Sequence, residues 1–249
     1  MHCGYCLMYN CRMLIKRFAA LVIAFLAVAV YGAQFLFAEG TGMSRLLYQG
    51  HASFRLTTSK GVVVYIDPFA GKGYDVPADI ILVTHEHQDH NNVGLVTQKK
   101  TCRILRAKDM LVSGIYKSIE ADGIKIQAAQ AYNRNHPKSE CVGFVITLED
   151  GTMLYHAGDT SLTEDMKTKL PLMKIDYAFY PCDGVYNMDV REAAKCASYV
   201  GAKHSVPIHT KPGELFELKA GAVFAGLCPA GTSLIIKPGE EVAISKENE

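Results

Sequence analysis

Long runs of one charge are missing from this chain. Its 26 basic and 25 acidic residues leave a formal net charge of +1, and no basic run exceeds two residues, as at Lys16-Arg17 and Lys99-Lys100. A nucleic-acid surface relies on a basic stripe that displaces counterions from phosphates, so that class of partner is disfavoured. No G-x-S-x-G elbow and no G-x-x-x-x-G-K-[ST] loop occurs, which removes support for a serine hydrolase and for a P-loop nucleotidase. Internal repeats, low-complexity tracts and Pro- or Ser-rich linkers are also lacking. With 49% hydrophobic and 20% charged residues, the composition is that of a globular chain able to bury a core.

A disulfide framework is missing too. Of eight cysteines, Cys3, Cys6 and Cys11 precede an apolar segment, and Cys3-x-x-Cys6 has no second pair to complete a metal knuckle. The remaining five, Cys102, Cys141, Cys182, Cys196 and Cys228, are odd in number and irregular in spacing. They read as buried free thiols, with one disulfide conceivable in an oxidising compartment.

The amino-terminal segment differs from the rest. Arg12, Lys16 and Arg17 precede "FAALVIAFLAVAVYGAQFLFA" at residues 18–38, an uncharged stretch with small residues at Gly32, Ala33 and Ala38. A basic start and an apolar run describe a secretory signal. At about 1.5 Å per helical residue the same run is long enough to be an uncleaved membrane anchor. Residues 1–42 are therefore expected to be an export signal or anchor. Residues 43–249 would then be a catalytic domain outside the cytoplasm, periplasmic or extracellular, or tethered through residues 18–38.

From Ser44 onward the pattern is of short strands with intervening helices. "RLLYQG", "ASFRLTT", "VVVYIDP", "DIILVT", "CRILRA", "IKIQAAQAY", "CVGFVITL", "TMLYHAG", "DYAFYP", "HSVPIHT", "SLIIKP" and "EVAIS" read as strands. "MDVREAAKCASYV" and "GELFELKAGAVFAG" read as helices. Glu149-Asp150-Gly151 marks a hairpin. The economical arrangement is α/β, two mixed β-sheets with helices outside them in one domain.

Ligand-type side chains gather where these strands end. "THEHQDH" places His85, His87, Asp89 and His90 within six residues of the apolar run "IILVT". In extended backbone His85 and His87 point to one side. One loop histidine is unremarkable as a ligand; three with an aspartate are a metal-binding set. Imidazole and carboxylate suit zinc, manganese or iron, and no thiolate marks a structural zinc. His136 in "YNRNHPKSE", Asp159 in "HAGDT" and His209 in "PIHT" also follow strands and can complete such a site.

These residues resemble the metallo-β-lactamase superfamily, through the H-x-H-x-D-H signature at His85, His87, Asp89 and His90 with His136, Asp159 and His209. "GHASF", "IDPF", "YHAGDT", "YNMD" and "PIHT" bring it closest to the lactonase-like metal-dependent hydrolases, over about residues 44–246. The resemblance implies a four-layer αββα sandwich. It implies two divalent ions, Zn2+ or alternatively Mn2+ or Fe2+. One would be held by His85, His87 and His136, the other by Asp89, His90 and His209, with Asp159 bridging.

Supporting roles are expected for other residues. Asp67 in "IDP" can fix the tautomer of a ligand imidazole. His51 is expected to line the site and polarise the substrate, while Asp89 ligates and orients the attacking water. Tyr186 and Asn187 are candidates for a roof over the substrate. His156 and His204 sit inside strand patterns and read as core, and Glu86 and Gln88 as solvent-facing. The implied function is hydrolysis of a small ester, lactone or phosphoester by a dinuclear metal enzyme acting on a small molecule. The competing classes are a non-catalytic metal-binding protein and a β-lactam hydrolase.

Overall fold

A computed structural model describes residues 42–246 of the chain. The expected export segment at residues 18–38 lies outside the described residues. Among the described residues no helix is long and apolar enough to cross a membrane.

The chain opens as an antiparallel meander, β1 (Ser44–Gly50), β2 (Ser53–Thr57) and β3 (Val63–Ile66), and then adds β4 (Ala78–Val83) and β5 (Gln98–Arg106) in parallel. A one-turn helix α1 (Ala107–Met110) and a hairpin, β6 (Leu111–Val112) with β7 (Ile115–Tyr116), lead to β8 (Ser118–Ala121). The second half repeats the plan. β9 (Ile124–Gln130), β10 (Val142–Thr147) and β11 (Met153–His156) form a meander, and β12 (Tyr177–Pro181) and β13 (His204–Ile208) follow in parallel. Helix α2 (Glu164–Thr168) lies between β11 and β12, α3 (Val190–Val200) between β12 and β13, and α4 (Leu218–Leu227) after β13. The closing strand β14 (Glu241–Ile244) returns to pair with β1. The two six-stranded sheets run β14-β1-β2-β3-β4-β5 and β13-β12-β11-β10-β9-β8. Each therefore carries an antiparallel edge, a meander and two parallel strands, a duplication of topology with no counterpart in sequence repeats.

Period-2 alternation explains the layering. In β4, Ile80 and Leu82 face the core between the sheets while Ile81 and Val83 face outward. In β12, Tyr177 and Phe179 turn inward and Ala178 and Tyr180 pack beneath α3 and α4. Both strands are apolar on both faces, as sheets covered on two sides require. Helix α3 is started by Asp189, whose carboxylate accepts from the amides of Arg191 and Glu192, and is stopped by Gly201 at φ +65°. The outer face of the first sheet is closed more thinly, by Tyr74, Val76, Val93 and Val96 around a single 3-10 turn.

The sequence expectation does not include α1, β6, β7, β8 or α2, and two of the segments it does include differ. "SLIIKP" is not a strand; only Ser233 bridges to Ser205, with Leu234 donating to the Ser205 carbonyl. The helix read from Gly213 begins only at Leu218, because the preceding carbonyls are engaged elsewhere. Leu215 accepts from the His51 amide and the Tyr48 hydroxyl, and Glu214 accepts from the His51 ring.

Candidate metal centre

Strands β1, β3 and β4 of one sheet and β9, β11, β12 and β13 of the other share one direction, so their carboxyl ends open onto a common rim. The residues that follow these strands meet there: His51, Asp67, the loop at residues 84–92, His136, Asp159, Asp183 and His209. Three of them, His51, Asp67 and His209, have positive φ (58°, 45° and 43°), half of the six non-glycine residues in that region among those described. Such backbone costs about 1–3 kcal/mol each and persists where the surroundings over-determine it.

The histidines are held from behind by one scheme. Asp67 takes the Nδ1–H of His90 at 2.8 Å and the Thr84 hydroxyl at 2.6 Å on the same oxygen. Its other oxygen accepts the Thr84 amide at 2.8 Å. With its own hydrogen donated to Asp67, the Thr84 hydroxyl oxygen accepts from His85 Nδ1–H at 3.0 Å. His136 donates Nδ1–H to Asn133 at 2.9 Å, His209 Nδ1 stands 3.1 Å from Asp183, and His51 Nδ1 donates to the Glu214 carbonyl at 3.2 Å. With Nδ1 hydrogen-bonded outside, or in His209 facing the Asp183 carboxylate at ion-pair distance, each ring turns Nε2 inward.

Inside the rim, candidate ligand atoms of His85, His87 and His136 lie within 4.8 Å of one another, and so do those of His51, Asp89, His90 and His209. Asp159 stands between the groups. One oxygen is 3.4 Å from His90 Nε2, and the other is 3.3 Å from His136 Nε2 and 3.5 Å from His209 Nε2. His85 Nε2, His90 Nε2, His209 Nε2 and Asp159 Oδ1 are buried without hydrogen-bond partners. An orphaned buried polar atom costs about 1–3 kcal/mol. Four of them aimed at one volume, all nitrogen or carboxylate oxygen, fit divalent cations.

The electrostatics agree. Burial pushes the carboxyls of Asp159 and Asp67 up, but the imidazoles around them, His90 foremost, outweigh it and hold both below the usual carboxylate range. Asp89 is held low in the same way by His209 and His51. Burial opposes charge on His209, yet Asp159, Asp183 and Asp89 carry it up to about 9. His90 rises for the same reason, against its burial. Burial takes His85 down to about 3. Without metal, the raised pKa values of His90 and His209 favour their charged forms beside the carboxylates.

Comparison with known proteins gives this arrangement a family. The model for the β-lactamase superfamily domain matches residues 45–209. A metal-dependent hydrolase of Methanoculleus marisnigri is 34% identical over 226 residues, covering 82% of this chain and 98% of that protein. The chain belongs to the β-lactamase superfamily. A metal-dependent hydrolase of Rubrobacter xylanophilus is 31% identical, covering 82% of this chain and 98% of its own length. In fold the chain aligns with Igni18, a novel metallo hydrolase of the archaeon Ignicoccus hospitalis, at a TM-score of 0.62 and 23% identity. That alignment covers 82% of this chain and 100% of the other. By relatedness the chain is a metal-dependent hydrolase of this superfamily, and its two layered sheets are the superfamily's sandwich.

The expected supporting residues of this hydrolase fall into place unevenly. His51 does not line the opening. Its left-handed backbone and its bond to Glu214 bury it behind Asp89, with Nε2 3.1 Å from Asp89 Oδ2 and its ring centroid 3.7 Å from that of His209. Tyr186 does line the opening, a cleft of about 280 Å³ walled by Asn135 and by His87, Asp89, His136 and His209. Asn187 lies deeper, bonded to Asp183. His156 is core, Nε2 donating to the Ala52 carbonyl at 2.9 Å and Nδ1 accepting from the Gly158 amide. His204 stacks on Tyr177. Glu86 is exposed and pairs with Arg106, and Gln88 is exposed.

Thr84, Asn133 and Asp183 carry functional weight that the sequence reading missed. Asp183 lies two residues beyond "DYAFYP" and obeys the same strand-end rule as the candidate ligands. Thr84 and Asn133 act only through contacts that sequence does not display.

Proposed function

We propose that this hydrolase holds two divalent ions and uses them to hydrolyse a small ester, lactone or phosphoester. The observation that carries the reading is Asp159, whose two oxygens face inward Nε2 atoms from both histidine groups at 3.3–3.5 Å. His85, His87 and His136 would hold one ion and Asp89, His90 and His209 the other, with Asp159 shared. When bound, such a pair supplies a water acidified towards neutral pH and positive charge on the oxygen that gains electrons.

The chain's own residues set the rest. Of the two ligand carboxylates that line the cleft, Asp89 is the more exposed, with 36% of its side chain exposed against 4% for Asp159. Kept ionised, it accepts a hydrogen bond from the attacking water and aims its lone pair at the substrate. His51 fixes the Asp89 carboxylate from behind. Asp67, Thr84, Asn133 and Asp183 hold the imidazoles in the tautomer that presents Nε2. Tyr186 and Asn135 contact the substrate at the mouth, and the cleft's size suits a small molecule.

The test is a panel of lactones, carboxylic esters, phosphodiesters and β-lactams offered to protein loaded with zinc, manganese or iron. We expect turnover in one of the first three classes and its loss in His87→Ala. Cleavage of β-lactams alone would move the substrate class. Two bound ions without turnover of any substrate would favour a binding protein. Residues 18–38 are proposed to direct export, and a reporter active only outside the cytoplasm, fused after residue 249, should be active if they do.

A further inference from the structure

The two histidine groups are tied to each other outside the ligand set. On the first-sheet side the tie is Asp67, which reaches His90 directly and His85 through Thr84. The second-sheet side has no single residue in that position. His136 is held by Asn133 on the loop after β9, and His209 by Asp183 at the end of β12. Asn187 joins these two supports. Its Nδ2 donates to Asp183 Oδ2 at 2.8 Å, and its Oδ1 accepts from Asn133 Nδ2 at 3.2 Å. A chain His136–Asn133–Asn187–Asp183–His209 results, hydrogen-bonded as far as Asp183 and closed by an ion-pair contact at His209, with one candidate ligand of each group at its ends.

We infer that Asn187 is a positioning residue that holds His136 and His209, and through them both ion positions, in one fixed relation. An amide is the side chain this place requires, because it must donate to a carboxylate on one side and accept from an amide on the other. The loop is built to present it. Asp183 Oδ1 accepts the amides of Val185 and Tyr186, each at 2.7 Å, and that of Asn187 at 3.3 Å. Asn133 Nδ2 and Asn135 Nδ2 both donate to the Tyr186 carbonyl, at 3.0 and 2.9 Å. Tyr186, at the cleft mouth, is thus mounted on the peptide that braces both histidines.

This inference rests on the two-ion reading, and the test separates the two. Full-length wild type and variants are titrated with Zn2+ against a chromophoric chelator, and the two equivalents are resolved. Supports of ligand histidines are typically worth about 10–100-fold in metal affinity. Asn187→Ala breaks both bonds, so both equivalents should weaken by about 10-fold or more. Asn187→Asp keeps the acceptor for Asn133 and sets a carboxylate against Asp183, so the loss should concentrate in one equivalent. Arg134→Ala removes a different tie to the same loop, its bond to the Val185 carbonyl, and should leave both affinities as in wild type.

Unchanged zinc affinities in Asn187→Ala, or equal weakening in Arg134→Ala, would overturn the inference. Should Asn187→Ala fold poorly, the split between equivalents in Asn187→Asp decides, and equal loss at both counts against it. A wild type that binds fewer than two equivalents overturns the two-ion reading itself, and the inference with it.

Discussion

His90 Nδ1 lies 2.8 Å from Asp67 Oδ2, and neither side chain exposes any surface to solvent. The same carboxylate holds Thr84 and, through it, His85, so one buried anion orients a histidine from each group. Removing one member of a buried pair leaves the other uncompensated, a loss of about 3–5 kcal/mol. Asp67→Ala should therefore lower the thermal midpoint sharply and weaken both zinc equivalents by about 10–100-fold. Asp67→Asn tolerates the left-handed backbone and keeps one acceptor, so it should lose less on both counts. Thermal melts and chelator competition measure both.

Metal affinity should rise with pH. His209, carried to about 9, and His90, higher than usual, hold protons at neutral pH that a cation must displace. Zinc competition between pH 6 and 9.5 should show tightening across the whole range, flattening as His209 titrates near 9. A pH-independent affinity would mean that these imidazoles are already neutral.

The metal-free protein should show the opposite trend. The His209 pKa is raised above its ordinary 6.5 to about 9, so its contribution to stability is complete below 6.5 and is lost as pH climbs through 9. Melts in excess chelator should lose stability over that window. Asp183, lowered to about 2 chiefly by its bond to His209 against the effect of burial, adds stability that disappears only in strong acid.

Gly158 precedes Asp159 with φ +64°, and a Cβ there would meet the Val142 carbonyl oxygen at 2.9 Å and Thr84 at 3.1 Å. Gly158→Ala should cost about 1–3 kcal/mol in backbone strain and displace Asp159 with it. A lower melting midpoint together with weaker zinc binding is the expected pair of results.

Thiol reactivity should single out Cys102. Burial pushes Cys141, Cys182 and Cys196 up to about 12 and Cys228 to about 11, so none of them forms thiolate at pH 8. Burial raises the Cys102 thiol too, with Lys99 opposing, but Cys102 is only half-buried, and all five described cysteines are free thiols. Maleimide labelling of native protein followed by peptide mapping should modify Cys102 well ahead of the other four, with no disulfide-linked peptides among the five.

Much of the site was legible because its residues obey a local rule. A strand apolar on both faces that ends in histidine or aspartate has a polar side chain at the sheet rim, and His85, His136, Asp159 and His209 all followed it. Asp183 obeyed it too and was passed over for want of a neighbouring histidine. His51 joins the second group, but its place after a strand says nothing about the direction of its ring. Its left-handed backbone and the Glu214 carbonyl, 163 residues away, turn the ring behind Asp89.

Side-chain period and residue chemistry are properties of neighbouring positions. The sequence alone therefore determined most of the strands, which of their faces are buried, and which residue types can bind a cation. Strand order, the duplicated sheet plan and the Nδ1 partners of His90, His209 and His51 depend on segments 23 to 163 residues apart meeting within a hydrogen bond's length. Such meetings are decided by how the two sheets pack, and only the tertiary structure shows Asp67 and Asn187 bracing the two histidine groups from opposite sides.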